Sequence, residues 1–326
     1  MRAAVIVAPG DPGVLEIRNV PVPEPGPAEL RVRVHASALN RADLLQRRGR
    51  YAVPAGATAL IPGLEYAGEV DALGPGVTGF SAGERVFGIV SGGAHAEFVL
   101  VPAPTAVRIP DALSWVDAAA VPEAFMTAYD ALCTQAGLAA GERVLLLAVT
   151  SGVGIAAARI AAAMGAHAFG TTRTAAKLDR AAALGLAGCA VVEDAGQLAA
   201  AVRGWSNDGM DVVLDLVGGA WTGAGVDVLA PHGRLMLVGL MAGARAEIDL
   251  RGVLSRFLRI TGTLLRPRSV AEKALVARAF ERDVLPLLAS GAITPEVDDV
   301  LPLERIAEAH ERMERNATFG KLVLTL

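Results

Sequence analysis

Cysteine is nearly missing from this chain. Cys133 and Cys189 are the only two in 326 residues. Two thiols build neither a disulfide framework nor a four-thiolate zinc site, and a reducing, cytoplasmic location is the expectation. Long apolar runs are missing as well. None reaches the roughly 18 residues of a membrane span, and Arg159 interrupts the longest candidate helix. The opening Met1-Arg2-Ala3-Ala4-Val5-Ile6-Val7 lacks the long apolar region of a signal peptide and reads as a strand stopped by Pro9-Gly10. A strong excess of either charge is missing too: 30 Lys and Arg stand against 34 Asp and Glu, the net value is −4, and no basic footprint points to nucleic acid. Five histidines, His35, His95, His167, His232 and His310, stand at no ligand spacing from a cysteine or from one another. They read as structural or surface residues, and no metal site is expected. No Ser-His-Asp spacing supports nucleophilic catalysis. The run Arg47, Arg48, Arg50 reads as a solvated helix end.

What is present is an ordered globular composition, 53% hydrophobic and 20% charged, in a chain long enough for two domains. Residues 1–120 are dense in turn signals such as Pro25-Gly26-Pro27 and Gly74-Pro75-Gly76. Between them Leu30, Val32, Val34 and Ala36 alternate with Arg31, Arg33 and His35, the period of a half-buried strand. A small, partly open barrel is expected there, with one helix from Asn40 to Gln46. From about Val121 the period changes. Helix is expected over Glu123–Ala136, then strands near 144–149, 167–172, 189–193, 211–217, 234–239 and 259–264, with helical segments between them. That alternation argues an α/β, doubly wound parallel sheet. A helical segment Ser269–Ser290, a helix Leu303–Arg315 and a last strand Leu322–Leu326 follow, and the tail is expected to return to the first domain.

The stretch Val144–Lys177 carries the chemistry. Val144–Val149 is an apolar strand, Thr150-Ser151-Gly152-Val153-Gly154 a tight turn, Ile155–Met164 a helix, and Ala166–Gly170 a second strand. Gly152, Gly154 and Ala157 fit G-x-G-x-x-G/A, whose glycines bring backbone N–H groups at a helix start up to a pyrophosphate. An NAD site places an acid on the ribose hydroxyl at the end of the second strand. Residues 170–176 hold no acid; Thr171, Thr172, Arg173 and Thr174 stand there, with Lys177 following. Hydroxyls and cations suit a 2′-phosphate, so NADPH is expected over NADH.

A nicotinamide held this way is expected to reach a cleft between the domains. Tyr51, in Gly49-Arg50-Tyr51-Ala52-Val53-Pro54, reads either as a rim aromatic packing its loop or as a phenol donating to a carbonyl oxygen. Asn40 with Asp43 three residues on reads as a helix cap. Thr127 reads as a core-facing hydroxyl or a phosphate contact. Ser151 either caps its helix or touches cofactor or substrate.

Together with Asn40-Arg41-Ala42-Asp43-Leu44-Leu45-Gln46, Pro62-Gly63-Leu64-Glu65, Leu73-Gly74-Pro75-Gly76-Val77, Ala119-Ala120-Val121-Pro122-Glu123-Ala124, Gly218-Gly219 and Val238-Gly239-Leu240-Met241, these residues resemble the zinc-free quinone oxidoreductases of the medium-chain dehydrogenase/reductase superfamily. The Ser-Gly-Val-Gly loop is most similar to the tumour-suppressor-inducible subgroup. The resemblance implies a GroES-like β-rich domain from residues 1–122 and 266–326, a Rossmann domain over 123–265, and a homodimer. In zinc-dependent relatives a Cys and a Gly-His-Glu motif supply ligands; here Asn40 stands near the Cys position and Leu64 replaces the His. Tyr51 and Ser151 are implied as active-cleft residues. Asn40 and Thr127 are implied at the nicotinamide end, and Gly152, Val153, Gly154, Thr172, Arg173, Thr174 and Lys177 at the phosphates. Gly239, Leu240, Met241, Leu264, Leu265 and Arg266 are implied as the nicotinamide wall, and Asn316 as a residue closing over the cofactor. Departures include Arg159 for a family Gln and Val192 for a tyrosine on the 2′-phosphate side.

The function expected is metal-independent, NADPH-dependent hydride transfer to a small-molecule quinone or similar conjugated carbonyl, with no nucleic-acid or membrane partner. The rivals are an enoyl or enone reductase with the same cofactor, an NADPH-binding sensor or structural protein with little turnover, and a zinc alcohol dehydrogenase.

Overall fold

Both ends of the chain contribute to one unit. The computed structural model describes residues 1–51 and 60–326. It divides into a first unit, Met1–Met126 with Leu265–Leu326, and a second, Thr127–Leu264. The expected junctions at 122/123 and 265/266 lie close to these; the first observed junction falls inside the helix Pro122–Tyr129.

In the first unit β1 (Arg2–Ile6) and β2 (Leu15–Asn19) pair antiparallel. The larger sheet uses β3 (Glu29–Ala38), β4 (Glu65–Leu73), β5 (Arg85–Ile89), β6 (Phe98–Pro102) and β7 (Val107–Arg108). The alternation read in β3 is the one observed: Leu30, Val32, Val34 and Ala36 are buried, while Arg31 and Arg33 lie over the Phe98 ring and pair with Asp71. The second unit holds β8 (Arg143–Leu146), β9 (His167–Thr172), β10 (Gly188–Val191), β11 (Met210–Asp215), β12 (Leu229–Leu237) and β13 (Arg259–Gly262). They form a parallel sheet in the order β10-β9-β8-β11-β12-β13. Val144, Leu145 and Leu146 are fully buried at its centre, as strands covered on both faces require. Then β14 (Val297–Pro302) and β15 (Lys321–Thr325) close the first unit's sheet, in the order β14-β15-β3-β4-β5-β7, with β6 also paired to β3. β15 lies antiparallel to β3, with Leu324 opposite Ser37.

Several expectations need correction. The segment Ser269–Ser290 is two helices, Val270–Asp283 and Leu285–Ala289, because Pro286 has no N–H to continue the first. The helix expected to Ala136 passes into a π-helical turn at Asp130–Gln135. The strand from Val144 ends at Leu146, and Ala148 turns the chain with a φ of 59°. Arg47 is not solvated. It is wholly buried, bonded to Gly10 O, His310 Nδ1 and the Glu314 carboxylate. Sequence spacing gave no sign that a helix formed near the chain's end would supply that carboxylate.

Candidate active site

In the second unit the strand order reverses between β8 and β11, and the carboxyl ends of β8, β9, β11 and β12 lie on one edge. Crevices at that edge are where open α/β sheets bind ligands. After β8, Ser151 Oγ accepts from Gly154 N at 3.1 Å and donates to Ala148 O at 2.9 Å, so it caps the helix Gly152–Ala163. Among the described residues nothing takes up the amides of Gly152 and Val153, which leaves two N–H donors at a helix start. Gly154 is needed for packing: a Cβ there would stand 2.6 Å from Ala148 O and 2.7 Å from Val149 Cα.

At the end of β9 Thr172 is buried, Arg173 and Thr174 are exposed, and Lys177 is partly buried. Val192 sits in the apolar core with Leu145, Leu147 and Phe169, so that position offers no rim contact. After β11, the buried Asp215 accepts from Val217 N, Gly218 N and Thr222 Oγ1, which fixes the Gly218-Gly219 turn. That turn packs against the loop after β12: a Cβ on Gly218 would meet Gly239 O at 2.9 Å and Gly243 O at 2.8 Å. Leu240, Met241 and Leu264 are exposed, and Thr127 is buried.

The first unit gathers a polar cluster of its own. Glu65, on β4, is fully buried. Its Oε1 meets Lys321 Nζ at 2.6 Å and accepts from Asn40 Nδ2 at 2.8 Å; its Oε2 accepts from Glu123 N at 2.8 Å. Lys321 also donates to Asn40 Oδ1 at 2.7 Å and to Leu39 O at 2.8 Å. All three ammonium protons are satisfied, the condition under which a buried ion pair is tolerated. Asn40 therefore does more than start a helix: Asp43 Oδ2 accepts from its N–H at 2.8 Å, while its side-chain amide joins Glu65 to Lys321.

Asp43 Oδ1 accepts from Gly63 N, and Gly63 has room for no side chain, since a Cβ would lie 2.5 Å from His95 N. Ser37, His95 and Asp43 form a line, but Ser37 Oγ donates to Glu65 O, so it accepts from His95 and is no nucleophile. Burial, and behind it the neighbouring Glu65 charge, pushes the Glu123 carboxyl up to about 8.

Tyr51 lies against Arg266, whose Cζ is 4.5 Å from the ring centroid. Burial raises the phenol's pKa, the Glu123 charge adds to that, and the Arg266 charge opposes it. Arg266, expected at the nicotinamide wall, donates from Nε to Ser91 O and from Nη2 to Gln46 Oε1. Leu265 is buried beside it in sequence, and Asn316 accepts from Arg41. Residues 52–59, after Tyr51, lie outside the described residues.

Glu65, Glu123, Lys321 and Asp215, which these networks bring together, were not among the candidates read from the sequence. Glu65 and Glu123 stood inside the motifs quoted above. Lys321 carried one signal, a cation opening an otherwise apolar last strand.

The donor set does not fit zinc. Leu64 is apolar and buried, and a cation already occupies Asn40 Oδ1 and Glu65 Oε1. Among the described residues no three His, Cys, Asp or Glu side chains gather as a metal cluster. No helix among them is long and apolar enough to cross a membrane.

Residues 26–111 match the family described as "Alcohol dehydrogenase GroES-like domain", and residues 188–324 match "Zinc-binding dehydrogenase". The chain is 31% identical over 350 residues to the mouse (Mus musculus) "Synaptic vesicle membrane protein VAT-1 homolog-like", covering 99% of this chain and 81% of that protein. It is 30% identical over 331 residues to a "Quinone oxidoreductase" of Sus scrofa, covering 100% and 98%. A solved mycobacterial structure complexed with NADPH superposes with a TM-score of 0.89 at 30% identity, covering all of both chains.

Proposed function

We propose, from the premise that this chain belongs to the medium-chain dehydrogenase/reductase superfamily and has quinone oxidoreductases among its relatives, that it reduces a quinone or similar conjugated carbonyl with NADPH and without metal. Membership makes it an oxidoreductase with a GroES-like and a Rossmann-like unit. The observation carrying the finer reading is the Lys321–Glu65–Asn40 cluster. An ammonium with every proton bonded already engages Asn40 Oδ1 and Glu65 Oε1, two of the donors a zinc ion would need there.

For the cofactor, the amides of Gly152 and Val153, with Gly154 allowing close approach, would hold the pyrophosphate. Thr172, Arg173, Thr174 and Lys177 would hold the 2′-phosphate. Thr127, Gly239, Leu240, Met241, Leu264, Leu265 and Asn316 would line the nicotinamide end. NADPH bound there supplies a hydride. The rest falls to the chain. The Tyr51 phenol, kept protonated by burial, donates to the acceptor's carbonyl oxygen as that oxygen gains charge. The Ser151 hydroxyl, engaged in its cap, ranks second to it. Asn40 keeps Lys321 against Glu65.

A homodimer is part of this proposal. β13 is an edge strand whose residues are all exposed, Ile260 among them, and Leu254 and Phe257, just before it in the chain, are exposed apolar residues too. A second copy adding its own β13 would cover them.

The test is NADPH oxidation by metal-stripped protein against 1,2-naphthoquinone, a simple enone and a crotonyl thioester. Turnover of the quinone, insensitive to chelator, is expected. Preference for the thioester would replace the reading by an enoyl reductase. Tight NADPH binding with no turnover would replace it by a binding protein. In the same assay Arg173→Ala is expected to weaken NADPH far more than NADH; an unchanged ratio removes the 2′-phosphate assignment.

A further inference from the structure

Two cations of the first unit are buried and make no ion pair among the described residues. Arg266 is 5% exposed and Lys273 9% exposed. Both hang from one residue: Arg266 Nε donates to Ser91 O at 2.9 Å and Lys273 Nζ to Ser91 Oγ at 2.7 Å. Arg266 Nη2 donates to the neutral Gln46 amide, and its other side-chain partner is the Tyr51 phenol, which is neutral too. Neither makes an ion pair with a carboxylate among the described residues, and Arg266 Nη1 is buried with no hydrogen-bond acceptor. The contrast with Lys321 and Arg47 is sharp, since each of those buried cations has its glutamate. Two like charges brought together out of water raise each other's cost, and an orphaned guanidinium proton adds to it. Such an arrangement is accounted for when an anion completes it.

Four alternatives for that anion can be weighed. Asp43 is ionised and its charge reaches Arg266, but its two oxygens accept from Asn40 N and Gly63 N and make no bond to either cation; Glu123, whose charge both cations feel, holds its proton up to about 8 and makes no bond to either. The Tyr51 phenol lies over Arg266, yet burial keeps it neutral. What is left is a group brought by the ligand.

We infer that Arg266 and Lys273 form a cradle for one negatively charged oxygen of the acceptor, so that the preferred substrates are conjugated carbonyl compounds carrying a carboxylate. Arg266 Nη1 and Lys273 Nζ are its donors, and the Tyr51 ring packs on the guanidinium to shield it from water. Arg266 thereby belongs to the acceptor rather than to the nicotinamide wall. The inference deepens the reductase reading and rests on it for the word substrate, but the cradle itself is measurable without turnover.

The experiment compares two near-isosteric probes, cinnamate and cinnamamide, by calorimetric titration of the full-length protein with and without NADP+. The wild type is expected to bind cinnamate at least about tenfold more tightly, the worth of one charge-assisted hydrogen bond. Arg266→Gln and Lys273→Met should each bring the two affinities together by weakening cinnamate alone. Arg266 also ties Ser91 to Gln46, so thermal melting accompanies both variants, and Lys273→Met decides the matter if Arg266→Gln does not fold. Equal affinities in the wild type, or a preference intact in Lys273→Met, overturn the cradle. A tenfold preference in a protein that oxidises no NADPH leaves the cradle standing and removes the reductase reading. Turnover of a neutral quinone with no anion preference does the reverse.

Discussion

Glu123 and His310 show how burial sets charge at single residues. His310 is driven down to about 3, mainly by burial, so it is neutral in the fold. Arginine has only donors, so His310 Nδ1 must accept from Arg47, and the ring proton sits on Nε2. Glu123 goes the other way, from 4.5 to about 8. A carboxyl with a raised folded pKa binds a proton that the unfolded chain has released. Its contribution to stability is complete below pH 4.5 and is lost as the pH rises to about 8. Urea midpoints measured across that window should fall with rising pH in the wild type, and Glu123→Gln should remove most of the slope. The same slope in the variant would assign it to another group. Residues like these mark where sequence reading stops. Arg47 looked solvated because its neighbours Arg48 and Arg50 are basic, yet its fate was decided by Glu314, far along the chain. The Asn40–Asp43 cap was legible because it depends on residues a few positions apart.

The elements proposed to carry the cofactor are a strand end, a turn and a helix start, and their secondary structure was legible in the sequence. Glycine spacing reports local backbone, and local backbone is what short-range sequence constrains. Even so, the glycine has a role the motif does not express. Gly154 is pressed onto the backbone of Ala148 and Val149, where no flexible side chain can give way. Gly154→Ala is expected to cost about 1–3 kcal/mol of stability by overpacking, and to weaken NADPH binding by shifting the helix start. Equilibrium unfolding and a cofactor titration on one preparation check both; a variant as stable as the wild type would show that the turn has slack. The break at Val284 had its signal in Pro286, while the π-helical turn over Asp130–Gln135 had none that composition or period reveals.

For the whole molecule, the alternating β and α pattern was enough to read a parallel sheet, because each crossover constrains the next. The pairing of β15 with β3 was foreseeable only as a β-rich tail in search of a β-rich domain; its register comes from packing. Assembly is decided at this scale too. Leu254 is 77% exposed and Phe257 67%, just before the edge strand β13 in the chain. Surfaces of that kind on a monomer invite association. Sedimentation is expected to give a dimer for the wild type and a monomer for a Leu254→Asp, Ile260→Asp double variant; a monomeric wild type, or a double variant that stays dimeric, sinks the edge-to-edge arrangement.

The position of Lys321 also bears on the order of events at the ribosome. Glu65 is synthesised early, and the ammonium that neutralises it arrives with β15, after every other strand has been made. Throughout translation of the intervening residues, a carboxylate destined for the interior has no counter-ion, and β3 lacks one neighbour. The inserted Thr127–Leu264 unit meets no such delay, since its six strands emerge consecutively. The nascent chain therefore completes its middle first and its beginning last, and the sheet that opens the sequence is finished by the strand that closes it.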